Sequence, residues 1–319
     1  MDRSLLFRIG DDCESAPDSH NDWTKDGGSS DVISQAPDMV LLGLFVGLSV
    51  GALIHSRIGL PAPVAIYLPY VWAFSLVFVL SEVVSVRVWV WVLAILSFLA
   101  LREYFSLVDV RIQDRWGILT AYLAIPFMYY FIQTDWYGMF IISVPVYAFL
   151  VTPFAVALGG GKPEGTILSV GIIDLGLFLL VYCIGHVGYL THYSTWMAVF
   201  LVASVSVCDL LAYLLRARSR STLPSILLQI LVPGPILVAL GLALAPWTAI
   251  PWQHSFVLGF LIPALVAIGC FTIDRMEADL GLDRDHLTPG RGEILNTLKS
   301  FLYVAPIVFH YLRYFTDVF

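Results

Sequence analysis

The sequence predicts an all-α fold, a polytopic membrane helix bundle of about nine to ten transmembrane helices. Of its 319 residues 59% are hydrophobic and only 13% charged, with a mean hydropathy of +0.84. Soluble domains run at roughly 45–50% apolar and 25% charged. The apolar runs are long enough, at 1.5 Å rise per residue, to cross a hydrocarbon core of roughly 30 Å. A soluble globular enzyme is excluded.

Residues 1–38 stand apart. They hold nine Asp or Glu residues against Arg3, Arg8 and Lys25, and include Gly27-Gly28-Ser29-Ser30. Such a segment offers too little apolar surface to offset chain entropy and is expected to be a disordered acidic tail. It lacks the basic-then-apolar order of a cleavable signal peptide. The remainder, 39–319, reads as one polytopic membrane domain.

Spans are expected at 39–55, 62–80, 88–101, 116–131, 139–158, 168–190, 196–215, 226–244 and 255–273, with a shorter apolar segment at 301–315. Twelve Lys or Arg residues fall on one side of this layout: Arg57, Arg102, Arg111, Arg115, Lys162, Arg216, Arg218, Arg220, Arg275, Arg284, Arg291 and Lys299. The other side has five: Arg3, Arg8, Lys25, Arg87 and Arg313. Cytoplasmic loops carry the basic excess, so the tail is expected outside, and the loops after the seventh and ninth spans cytoplasmic together. Pro126, Pro145, Pro153, Pro233 and Pro235 are expected to kink helices. Trp116, Trp136, Tyr137, Trp196, Trp247 and Trp252 sit at span ends, as interfacial anchors do. Cys13, Cys183, Cys208 and Cys270 have neither zinc-site nor disulfide spacing and read as small apolar residues.

Ionisable groups within apolar runs carry most of the functional information, because each is costly unless paired, hydrated or neutralised. Glu82, the Arg102–Glu103 pair and Asp174 lie near span ends, where snorkelling or local pairing accounts for them. His186, beside Gly185 and Gly188, reads as a packed, hydrogen-bonded histidine; His310 is a further candidate. Asp209 differs: Tyr213 and Arg216 follow at i+4 and i+7, one helical face leading to a basic rim. That arrangement suits a cation bound to phosphate, and equally a buried carboxylate paired to a neighbouring helix. Gly159-Gly160-Gly161-Lys162 lacks the full phosphate-loop pattern and reads as a flexible cytoplasmic loop. The polar stretch 274–300 reads as a loop whose glycines admit close backbone approach to a ligand.

A family resemblance covers about 94–315. Ala100-Leu101-Arg102-Glu103-Tyr104, Trp136-Tyr137-Gly138, Pro145-Val146-Tyr147-Ala148-Phe149 and Tyr182-Cys183-Ile184-Gly185-His186 follow one another. Gly269, Asp279, Gly281, Pro289, Gly290, Gly292, Ser300, Ala305 and Pro306 come after them. In this order they resemble the phosphatidate cytidylyltransferase, or CDP-diacylglycerol synthase, family. Its signature has the sense Gly-Asp, then Ser-x-x-Lys-Arg-Asp-x-Gly-x-Lys-Asp, then Pro-Gly-His-Gly-Gly-x-x-Asp-Arg-x-Asp-Ser. The departures fall on the polar positions. Cys270 stands for the first Asp, Asp274 for Ser, Glu277 for Lys and Ala278 for Arg. Arg291 stands for His, Glu293 for Gly, Asn296 and Thr297 for Asp-Arg, and Lys299 for the last Asp. Asp283 and Arg284 lie near the Lys-Asp pair, with a one-residue deletion. Asp209 and Tyr213 match the start of a second motif, whose Ser-Pro-x-Lys-Thr continuation is missing after Arg220.

The resemblance implies attack of a phosphatidate oxygen on the α-phosphorus of CTP, giving CDP-diacylglycerol and diphosphate in phospholipid biosynthesis. Joining two anions calls for carboxylate-held Mg²⁺ and cationic side chains. On that basis Asp209 and Asp279 are the expected catalytic residues. Tyr213, Arg216, Arg284, Gly290, Arg291 and Gly292 are the expected substrate and phosphate contacts, and Asp209 with Asn296 the expected Mg²⁺ ligands. The expected partners are phosphatidate, CTP and a second copy of the chain; nucleic acid is not among them. The expected location is the plasma membrane if the source is prokaryotic. A non-catalytic lipid-binding or assembly protein is the alternative, a small-solute transporter a third. Because the signature residues are altered, whether the chain is an enzyme stays open at this point.

Overall fold

The computed structural model describes residues 43, 46, 47, 49, 50, 86–160, 163–215, 223–279 and 292–316. The acidic segment 1–38 lies outside them, as do the expected spans 39–55 and 62–80 apart from five helical residues. The described residues form helices throughout and no strand: α1 (Val86–Leu107), a 3₁₀ turn (Ile112–Asp114) and α2 (Arg115–Gln133) come first. They are followed by α3 (Tyr137–Leu158), α4 (Thr166–Tyr193), α5 (Thr195–Leu215), α6 (Leu223–Leu231), α7 (Pro233–Thr248), α8 (Trp252–Asp279) and α9 (Glu293–Phe315).

Six of these stretches are long and apolar enough to cross a membrane: α1 from Val88, α3, α4, α5, Ile226–Thr248 across α6 and α7, and α8. The protein is an all-α integral membrane protein. Helix α2, diluted by Tyr122, Tyr129, Tyr130 and Gln133, and α9, carrying Glu293, Lys299 and Arg313, fall outside these six, although both are long helices. Two of the expected spans, 39–55 and 62–80, lie outside the described residues apart from those five, and of the others all but 116–131 and the shorter segment 301–315 meet these criteria. Phe127, Leu150, Phe154 and Leu158 lie exposed on α2 and α3, as lipid-facing side chains do.

The expected prolines have different consequences. Pro126 and Pro153 sit inside α2 and α3. Pro145 lies in a π-helical turn, Ser143–Ala148, and a second such turn spans Phe178–Cys183 without a proline. Such turns insert one extra residue and re-aim the helix beyond them. Pro233 opens α7, where its missing N–H costs nothing. Trp116, Trp136 and Trp252 are exposed at helix ends, whereas Trp196 is buried with its ring 4.7 Å from that of Trp247. Stacking, rather than interfacial anchoring, places that pair.

The glycine run at 159–162 is not a free loop at its start. A Cβ on Gly159 would lie 2.0 Å from the carbonyl oxygen of Gln113, so the chain passes too close to the 3₁₀ turn for any side chain. Gly160, with φ +68°, ends α3 in the left-handed conformation. Gly161 and Lys162 lie outside the described residues.

One polar clamp ties this end of the bundle together. Arg111 Nε and Nη2 donate to Asp114 Oδ2 (3.0 Å) and Oδ1 (2.8 Å), while Arg111 Nη1 donates to the Glu164 carbonyl. Burial of Asp114 raises its carboxyl, but hydrogen bonds from Arg111 and Ser169 and the Arg111 charge outweigh that and hold it below its ordinary range. A carboxyl depressed by folding stabilises above its unfolded value, near about 3.9, and loses that contribution as pH falls through its folded value. The wild-type melting temperature in detergent is therefore expected to fall with acidification below about pH 4. Asp114→Asn should be destabilised at neutral pH by roughly 1–3 kcal/mol and lack that acid-side slope. Parallel slopes for the two proteins would show that the clamp is not the titrating element.

Candidate functional site

Four helix ends meet on one side of the bundle: the C-terminal parts of α1, α5 and α8, and the first turns of α9. Their meeting is built on two carboxylates. Glu103, in the last turns of α1, accepts the backbone N–H of Gly292 (2.6 Å) on Oε1 and that of Leu295 (3.0 Å) on Oε2. Both donors belong to the start of α9, which has no intrahelical acceptors for them. A carboxylate there also meets the positive end of the helix dipole. Gly292 permits this with φ +81°, a backbone position that a Cβ would strain. Snorkelling or local pairing does not account for Glu103. It reaches 189 residues along the chain, because an anion at a span end finds its donors in a helix start.

Asp209, in α5, accepts a hydrogen bond from Ser300 Oγ of α9 at 2.7 Å. Cys270 Sγ of α8 lies 3.4 Å from the same Ser300 oxygen. With the serine proton given to Asp209, the thiol is the donor, so a chain runs Cys270 to Ser300 to Asp209 across three helices. One turn on along α8, Asp274 accepts Lys299 Nζ at 2.8 Å. The Lys299 side chain is only 5% exposed and that of Asp274 35%. The ammonium is thus inside, and the pair opens to the surface through its acidic end. Asp209, Asp274 and Lys299 all exert their charge on Cys270.

Asp209 and Ser300 are therefore brought together. Tyr213 is half-buried one turn beyond Asp209, and Asn296 lies one turn before Ser300 on the same face, exposed. Gly292 serves the Glu103 cap. Asp279 is exposed at the last residue of α8, about 7.5 Å along the axis from Asp274. Arg216, Arg284, Gly290 and Arg291 lie outside the described residues. The polar stretch 274–300 is not loop throughout: α8 continues to Asp279 and α9 begins at Glu293. Composition missed this because the partner that caps α9 is far away in sequence.

Elsewhere His186 is fully buried, with Nδ1 bonded to the Tyr182 carbonyl at 2.8 Å, the packed histidine expected. Its ring lies 5.2 Å from that of His310. Asp174, expected to snorkel or pair locally, is instead buried in α4, and neither carboxylate oxygen has a hydrogen-bond partner among the described residues. Cys183 and Cys208 are buried free thiols, the apolar role expected of them; Cys270 is the polar exception.

Among the described residues the donor set does not fit Mg²⁺. That ion demands near-octahedral oxygen ligation and gives up its water reluctantly. Among the described residues no three His, Cys, Asp or Glu side chains are grouped to hold a metal. Cys270 offers a soft sulfur at one expected acidic position, and Lys299 brings a cation to another.

The Cytidylyltransferase family model matches residues 68–217, which include Glu103 and Asp209. The uncharacterized protein YnbB of Escherichia coli (strain K12) is 27% identical over 237 residues, covering 69% of this chain and 78% of that protein. No solved structure matches. The resemblance read from the residues thus holds over 68–217, while the C-terminal part from residue 218 on, with the polar stretch 274–300, lies beyond the family match.

Proposed function

We propose, from the cytidylyltransferase-family character of residues 68–217, that this multi-pass membrane protein is of phosphatidate cytidylyltransferase type. Its site is read as taking a phosphatidate-class lipid and CTP. A phosphatidate oxygen forms a bond to the α-phosphorus of CTP, the bond from that phosphorus to the β-phosphate oxygen breaks, and diphosphate leaves with CDP-diacylglycerol as product. The observation that carries this reading is the convergence of both motif halves at one end of the bundle: Glu103 holds Gly292, and Asp209 holds Ser300. With the basic excess cytoplasmic, that end faces the compartment where CTP is soluble, which in a prokaryote puts the protein in the plasma membrane. Arg216, Arg284 and Arg291 are the proposed phosphate contacts, as planar donors suited to them.

A second reading is favoured by one feature. The Lys299–Asp274 pair, with its ammonium enclosed, occupies the region where the reaction needs concentrated acidic ligands, which suits a lipid-binding or assembly protein with impaired turnover. The test is purified full-length protein with phosphatidate and radiolabelled CTP, beside Asp209→Asn. Labelled CDP-diacylglycerol formed by the wild type and lost in the variant supports the enzyme. No product from the wild type, with phosphatidate retained through purification, overturns the enzyme and leaves the lipid-binding protein.

A further inference from the structure

We propose that Lys299 supplies a built-in cation at this site, its ammonium serving as the tethered counter-ion of Asp274 where the family reaction calls for a divalent metal. This rests on the reading that Asp209 marks the family's site. The geometry supports it in three ways. Lys299 Nζ is bonded to Asp274 at 2.8 Å, and the side chain is almost wholly enclosed. The next residue, Ser300, is the one bonded to Asp209, so one turn of α9 carries both the ammonium and the hydroxyl that meets that carboxylate. Cys270 lies under the charges of Asp209, Asp274 and Lys299 together. A buried ammonium persists only when paired, and Asp274 supplies that pairing here.

The consequence is a specificity-determining residue. With Lys299 present, its ammonium opposes a divalent cation at Asp274. With the ammonium removed, Asp274 loses the cation bonded to it, and a divalent ion held by Asp274 and Asp209 replaces it.

Mn²⁺ is the probe, followed by its spin-resonance signal in titrations of the detergent-purified full chain. Wild type is expected to leave the Mn²⁺ signal essentially free. Lys299→Met, close in volume, should bind Mn²⁺ at least about tenfold more tightly than wild type, and the gain should vanish in Lys299→Met with Asp209→Asn. If Lys299→Met does not accumulate, Lys299→Gln, which keeps a donor toward Asp274, is read by the same criterion. Tight Mn²⁺ binding by wild type that Asp209→Asn abolishes would overturn the proposal, and this arm needs no Lys299 variant to fold. A folded Lys299 variant with no gain would overturn it equally. Failure of the CTP assay bears on the proposed reaction alone, because Mn²⁺ binding is read without turnover.

Discussion

Purified protein given phosphatidate, CTP and Mg²⁺ is expected to form CDP-diacylglycerol at least about 10²-fold more slowly than a relative carrying the full acidic signature, in the same detergent. The cause is electrostatic. Cys270, Asn296 and Lys299 stand where three acidic residues are expected, and Glu277 and Ala278 where two cations are. The Lys299 ammonium disfavours a divalent ion beside it, and Asp274, its bonded partner, is already engaged by that ammonium. Loss of one preorganised charge-stabilising group commonly costs about 10²–10³ in rate, and groups that act as a unit do not multiply. Initial rates of labelled product, normalised to folded protein, measure the deficit. Turnover within about tenfold of the relative would show that other carboxylates, such as Asp274, Asp279 or Asp283, have taken over the metal.

The second large effect is expected at Glu103. Glu103→Ala removes an acceptor shared by two backbone N–H groups, and with it a negative charge at the start of α9 that Glu293 in the first turn only supplements. Charge-assisted hydrogen bonds and helix capping each contribute about 1–3 kcal/mol, so a loss of roughly 2–4 kcal/mol is expected. Glu103→Gln, which keeps one acceptor oxygen, should lose less. Melting in detergent reads the loss, and limited proteolysis between residues 280 and 292 reads whether the start of α9 has come loose. An alanine variant as stable and as protease-resistant as wild type would show that water or another side chain replaces the carboxylate.

The helices were legible from apolar periodicity and length, since a chain in lipid must satisfy its backbone within each segment. The site was legible only in part. Asp209 stands out as a carboxylate in an apolar run, and Ser300, one of the residues that fit the resemblance, proved to be its partner. Glu103 gave the wrong signal, because a charge at a span end has a ready local explanation and its true donors lie in a helix whose start the composition hid. Lys299 read only as a repulsive substitution; its burial against Asp274 needed the α8–α9 packing. Asp174 looked like a span-end residue, yet the length of α4 carries it inside.

The distance along the chain between Glu103 and its donors also fixes an order of assembly. Gly292 is made 189 residues after Glu103, which at about 5–20 residues per second is on the order of 10–40 s of synthesis. Throughout that interval α1 is already in place with a carboxylate whose final partners do not yet exist, and the acidic end must rest in the aqueous boundary. Docking of the last helix then closes the bundle in one late step. Chains truncated or stalled before residue 292 should therefore keep Glu103 hydrated.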